Sequence, residues 1–151
     1  MSPRNVQEWL DAYGTAWRSR DAEAAAALFT EDSIYRSHPF RTPHRGQDGV
    51  RAYWTQATAD QRGLDLRFGV PIAEGNRVAV EWWAVMRVVS PEGESAGSGV
   101  EGTAGSRIRE SIGTLPGCLF LTFAPDGRCR ELREYWHWKD QEITPPEGWG
   151  L

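Results

Sequence analysis

Residues 66–88 read LRFGVPIAEGNRVAVEWWAVMRV, and the alternation within this stretch decides the fold class. Leu66, Phe68, Val70 and Ile72 share one parity, with Arg67, Gly69 and Pro71 between them. Past Glu74-Gly75-Asn76 the same parity carries Val78, Val80, Trp82, Ala84, Met86 and Val88. A period of two marks strands with one buried face. A three-residue turn sets Phe68 against Trp82 and Val70 against Val80, and puts every even position from Leu66 to Ile72 and from Val78 to Val88, all apolar, on one face. A two-residue turn would mix the faces, so parity selects the register. The opposite face, with Arg67, Glu81, Trp83 and Arg87, is expected to be exposed or shared with another subunit.

A second hairpin follows downstream. Cys118 to Phe123 and Arg128 to Trp138 flank Pro125-Asp126-Gly127, whose residues favour a turn. The expected register puts Cys118 opposite Glu134 and Cys129 opposite Phe123. The two cysteines then do not face each other, which predicts two reduced thiols rather than a disulfide.

Upstream the period is helical. Val6, Trp9, Leu10, Tyr13, Ala16 and Trp17 form one apolar stripe, begun by Ser2-Pro3 or by Asn5 with Glu8. Asp21 is placed to cap a short alanine-rich helix ending at Leu28-Phe29. The stretch 30–46 reads as turns because of Pro39, Pro43 and Gly46, and 48–59 resumes helical spacing through Val50, Tyr53, Trp54 and Ala57. Between the hairpins, 90–113 holds six glycines and reads as a flexible insertion, either a linker or a lid. Helices first and strands after predict an α+β domain, with three N-terminal helices against a curved antiparallel sheet.

Length and composition bound the function. The 151 residues suit a single domain, 1–151, and 40% hydrophobic with 25% charged residues is a globular balance. A net charge of −4 argues against nucleic-acid binding. No apolar run is long enough for a membrane span and MSPRNVQEWL has no signal-peptide core, so a cytoplasmic protein is expected. Eight tryptophans supply enough aromatic surface for a core, a pocket or an interface.

Glu134 is the first candidate for chemistry. It lies between Leu132 and Trp136 on the parity expected to face inward, with Cys118 and Phe120 opposite. Desolvation by such walls raises a carboxyl pKa toward the range of a working acid or base. The alternative is an edge glutamate paired with Arg133 or Arg130. His38, between Ser37 and Pro39, is a second candidate for the cavity; His44 sits in a proline-flanked turn and reads as exposed, and His137 falls on the outer parity. No cluster has metal-ligand spacing, and neither metal nor cofactor is expected. Tyr13 can offer its hydroxyl from the first helix to a developing oxyanion. Trp17, Trp54, Trp82 and Trp136 belong to the core and to the wall of any pocket within it. A P-loop motif is missing from the sequence.

The runs EWLDAYGTAWRSRDAEAAAALFTEDSIYRSHPFRTPHRGQDGVRAYW, RVAVEWWAVM and GCLFLTFAPDGRCRELREYW resemble the nuclear transport factor 2-like superfamily, and its SnoaL-like branch most. The resemblance implies a cone of three helices against a strongly curved sheet, as a homodimer. Tyr13 and Asp21 match the tyrosine-to-aspartate spacing of ketosteroid isomerases, whose carboxylate base would fall on Ser37, beside His38. Limonene epoxide hydrolases carry an arginine and an aspartate where this chain has Trp82 and Ala84; their other aspartate corresponds to Glu134 and a tyrosine to Tyr35. Neither set is complete. The resemblance therefore implies a small apolar organic ligand and acid–base chemistry of the isomerase, dehydratase, cyclase or hydrolase type, the alternative being a non-catalytic binding or dimeric interaction module.

Overall fold

Ser2 starts the first helix by accepting the Asn5 amide through its hydroxyl at 3.3 Å, and α1 runs Pro3–Ser19 until Arg20 turns left-handed (φ 54°). Asp21 caps α2 (Ala22–Ala27) through the Ala24 amide at 2.9 Å. The computed structural model describes residues 2–91 and 108–151. No helix within them is long and apolar enough to cross a membrane.

The next segment departs from expectation. Instead of turns alone, Phe29–Arg36 forms strand β1 and His44–Arg45 forms β2, antiparallel to it. β1 lies parallel to the last strand, with a register shift between Phe29 and Ile34 that accommodates the polar run Thr30–Ser33. That irregularity hides the strand's alternation in the sequence. Helix α3 then spans Gly46–Ala57, two residues earlier than its apolar spacing suggested. Gly46 has φ +65°, and a Cβ there would come within 2.8 Å of the Glu31 carbonyl, so the join between β1 and α3 requires glycine.

Five strands complete the sheet: β3 (Gln61–Phe68), β4 (Ile72–Glu74), β5 (Arg77–Pro91), β6 (Ile108–Phe123) and β7 (Cys129–Trp136). The order is β2-β1-β7-β6-β5-β3, with β4 on β5, antiparallel except for β1 and β7. Tyr13 of α1 meets Tyr35 of β1 and also Phe68 of β3, near opposite ends of this order. One helix can reach both only if the sheet curls around it. The fold is therefore the expected α+β arrangement, three N-terminal helices in the hollow of a mostly antiparallel sheet.

Both hairpins depart from a single register. Phe68 faces Trp82 and Leu66 faces Ala84, as the alternation requires. Beyond Gly69-Val70-Pro71, however, β4 pairs Ile72 with Ala79 and Glu74 with Arg77 around the two residues Gly75-Asn76. The one-residue slip turns Val70 and Ile72 outward, 66% and 76% exposed. Pro71, which has no amide hydrogen, stands where the ladder breaks. In the second hairpin Cys129 faces Phe123 as expected, but a shift between Thr122 and Phe123 brings Leu119, not Cys118, opposite Glu134. Leu119, Leu121 and Leu132 are consequently buried, whereas Phe120 is 46% exposed. Both cysteines are free thiols.

The expected insertion 90–113 is trimmed at both ends, since Ser90 and Pro91 pair with Arg109 and Ile108, and Gly113 with Met86. Its remainder, 92–107, lies outside the described residues. Trp83 was expected on an exposed or shared face; its indole instead donates to the Ile143 carbonyl at 2.9 Å and meets Trp149 edge to face. The chain's own C-terminal segment covers that part of the sheet.

Candidate active site

The hollow between helices and sheet contains a cavity of about 490 Å³. Aromatic rings dominate its wall, contributed by α1 (Tyr13, Trp17), β1 (Tyr35), α3 (Tyr53, Trp54) and β5 (Trp82), with Trp136 and Trp138 at and beyond the end of β7. Gly117 makes room for one of them: a Cβ there would lie 2.4 Å from the Trp82 ring. The Trp138 ring rests on Gly113 in the same manner, where a Cβ would lie 1.9 Å away. Glycine within a strand often marks such close approach.

Glu134 lies in this hollow, only 8% exposed. Its Oε1 accepts the Tyr53 hydroxyl at 3.3 Å and its Oε2 the Tyr35 hydroxyl at 3.5 Å; Tyr35 shares a further hydrogen bond with Tyr13 at 3.0 Å. Among the described residues no cation pairs with it: Arg133, its neighbour in sequence, bonds Glu131 at 2.8 Å instead. Burial pushes the Glu134 carboxyl up to about 8, and the hydrogen bonds from Tyr53 and then Tyr35 offset only part of that rise. Burial first, and the Glu134 charge second, raise all three phenols. Near neutral pH the cluster is therefore a carboxyl group that holds its proton, beside hydroxyls that remain donors.

The cavity wall includes Glu134, Tyr13, Trp17, Tyr35, Trp54, Trp82 and Trp136, all expected from the sequence. Four other expected residues lie elsewhere. Cys118 and Phe120 fall on the outer face of β6 because of the register shift described above. His38 packs beside Phe40 and Trp136 at the edge, its Nδ1 accepting the Phe40 amide, and does not line the cavity. Ser37 is buried behind the wall, its carbonyl accepting the Trp136 indole and its hydroxyl bonded to His44 Nε2 at 3.3 Å.

Two contributors were missed. The helical spacing puts Tyr53 only on the apolar stripe of α3, yet it supplies the shorter hydrogen bond to Glu134. A polar tip on an otherwise apolar stripe was the available signal. His44, expected to be exposed, is half-buried and stacks on Tyr53 with centroids 4.4 Å apart, and burial lowers its pKa. His44 follows a proline-flanked turn, and nothing local to it announces the stack. Among the described residues no group of three His, Cys, Asp or Glu side chains is placed to hold a metal ion.

Comparison with known proteins agrees with the architecture. The sequence profile of the SnoaL-like domain matches residues 6–132. No curated protein sequence gives a significant match. Among solved structures, an epoxide hydrolase/cyclase-like enzyme, SalBIII, concerned with pyran ring formation in the polyether salinomycin, superposes with a TM-score of 0.65 at 17% identity, over 87% of this chain and 89% of that one. A protein from Shewanella putrefaciens CN-32 described as a SnoaL-like polyketide cyclase gives 0.65 at 14% identity, covering 90% and 91%. A protein of ketosteroid isomerase-like fold from Catenulispora acidiphila, solved with trimethylamine, gives 0.63 at 14% identity, covering 85% and 84%. At these identities the likeness is one of fold.

Proposed function

The chain belongs to the SnoaL-like domain family, and we propose that it is an acid–base enzyme acting on a small, largely apolar organic molecule by a route that needs no cofactor. Glu134 carries this reading: a carboxyl buried in an aromatic cavity, bonded only to hydroxyls, with its pKa brought to about 8. A group poised near the working pH transfers protons in either direction with little penalty. In its protonated form it can donate to a carbonyl, epoxide or hydroxyl oxygen; ionised, it can remove a proton from carbon next to a carbonyl. Tyr35, backed by Tyr13, and Tyr53 stay protonated and offer hydrogen bonds to oxygen as charge develops there.

The relatives supply precedents for small organic molecules in this fold, through pyran ring formation in one case and bound trimethylamine in another. Isomerisation, dehydration, cyclisation and epoxide opening each need a proton delivered to oxygen or taken from carbon or oxygen. A homodimer, implied by the family resemblance, would use the outer face of the sheet, where Phe120 and Tyr135 form an exposed edge-to-face pair.

Nitrobenzisoxazole tests the proton-transfer step without requiring the natural substrate, because its ring opens when a base removes one carbon-bound proton. We expect turnover that rises with pH through an apparent pKa of about 8. Glu134→Gln should reduce it by about a hundredfold or more. Turnover that is indifferent to pH, or retained in a folded Glu134→Gln protein, would reject the reading.

A further inference from the structure

The charge of the cavity is one-sided. Among the described residues that line it, eight are aromatic, three are acidic, and none is lysine, arginine or histidine. Glu134 is buried, whereas Asp60 and Asp140 are exposed on the wall, beside Gln61 and the half-exposed Trp138. None of the three carboxylates enters an ion pair among the described residues, although the chain has seventeen basic side chains to spend. An uncharged ligand has no use for the acidic rim of Asp60 and Asp140, and an anionic ligand would be repelled by it.

Aromatic rings present negative faces, and rings around a site attract a cation that has lost its water. Trp17 meets Trp82 and Trp54 edge to face at 5.2 and 6.5 Å, and Tyr13 meets Trp54 at 5.1 Å. Rings set at steep angles to one another form a corner rather than a flat stack, the geometry that suits a rounded cationic head. We propose that the cavity binds an organic cation of the alkylammonium class, its charged nitrogen enclosed by these rings with Glu134 as counter-ion.

The inference shares its cavity and its glutamate with the proposed acid–base function, and specifies the ligand class. It also has a consequence for protons. The groups facing Glu134 are Tyr35 from β1 and Tyr53 from α3, with Tyr13 of α1 behind Tyr35, and His44 and Arg41 acting on Tyr53. All three phenols titrate above their usual range, and His44 below its own, so Glu134 is the group that changes charge around neutrality. Entry of a permanent cation stabilises its ionised form and expels its proton.

Choline and its neutral isostere, with carbon in place of the quaternary nitrogen, make the test. Titration calorimetry of the whole protein should show choline binding about tenfold or more tightly than the isostere. In buffers of differing ionisation enthalpy at neutral pH, choline binding should release a proton, which cannot come from a quaternary nitrogen. Glu134→Gln should abolish both the release and most of the preference. Equal or tighter binding of the isostere, choline binding without proton release, or no binding of choline would each overturn the proposal. Nitrobenzisoxazole turnover tests the catalytic reading separately: turnover without choline preference rejects this inference alone, and the converse result rejects that function alone.

Discussion

Two glutamates three residues apart on β7 have opposite surroundings. Glu131, on the outer face, accepts from Arg133 at 2.8 Å and lies 3.7 Å from Arg36, all three open to water. Glu134, on the inner face, has tyrosine hydroxyls and, among the described residues, no cation. Arg133 stands next to Glu134 in sequence, but the strand's alternation turns it away. Exposed pairs such as those of Glu131 contribute little, since water screens them. An unpaired buried carboxyl instead costs stability whenever it ionises, and a protein that retains one without an arginine keeps a group able to change charge inside a cavity.

The largest effect separating the two faces should come from apolar truncation. Leu132→Ala removes a fully buried side chain next to Glu134, and should cost about 2–5 kcal/mol in chemical unfolding. Phe120→Ala, on the outward side of the neighbouring strand, should cost no more than about 1 kcal/mol. A Phe120→Ala loss as large as that of Leu132→Ala, and dependent on protein concentration, would show that the outer face is a subunit contact.

That the inner face carries Leu132 and Glu134 was legible in the sequence; what lies opposite them was not. The alternation of Leu132, Glu134 and Trp136 depends only on one strand's parity, which survives any error in pairing. The assignment of Cys118 and Phe120 to the wall depended on an unbroken ladder, and a single irregularity beside Phe123 reversed it. Val70 and Ile72 were misplaced in the same way by the break at Pro71. Helices α1 and α2 were legible because Ser2 and Asp21 announce their starts. β1 was not, because its irregular pairing with β7 interrupts the period. Tyr53 and His44 enter the site through contacts between α3, β2 and β7, and such contacts leave no periodic trace.

A smaller effect contrasts the two carboxyls directly. Glu134 has its pKa raised from the ordinary 4.5 to about 8 on folding. Between these limits the folded chain retains a proton that the unfolded chain has lost, so stability falls as pH rises and levels off once Glu134 ionises in both states. From this group alone, unfolding free energy should drop by about 1.4 kcal/mol between pH 7 and 9. His44, whose pKa is lowered, acts below its ordinary 6.5 and leaves this window clear. Glu134→Gln should therefore flatten the decline and make the protein more stable than wild type at pH 9, while Glu131→Gln should leave it unchanged. A wild-type curve already flat from pH 7 to 9 would mean that the inner carboxyl ionises as readily as the outer one.

The smallest effect concerns the hydroxyls that take the place of a cation on the inner face. Tyr53 and Tyr35 both lower the Glu134 pKa by hydrogen bonding to its ionised form, Tyr53 more strongly. Tyr53→Phe removes the 3.3 Å bond, so the carboxyl should hold its proton to higher pH. Less of it is then ionised at pH 8, and nitrobenzisoxazole turnover there should fall by about tenfold or less. Raising the pH should restore that turnover toward the wild-type plateau, because the base is present but differently poised. Tyr35→Phe should shift the profile in the same direction by a smaller amount. A purely structural part for Tyr53 would lower the plateau and leave the midpoint in place, and the midpoint therefore distinguishes a hydroxyl that tunes the acid from one that merely fills space.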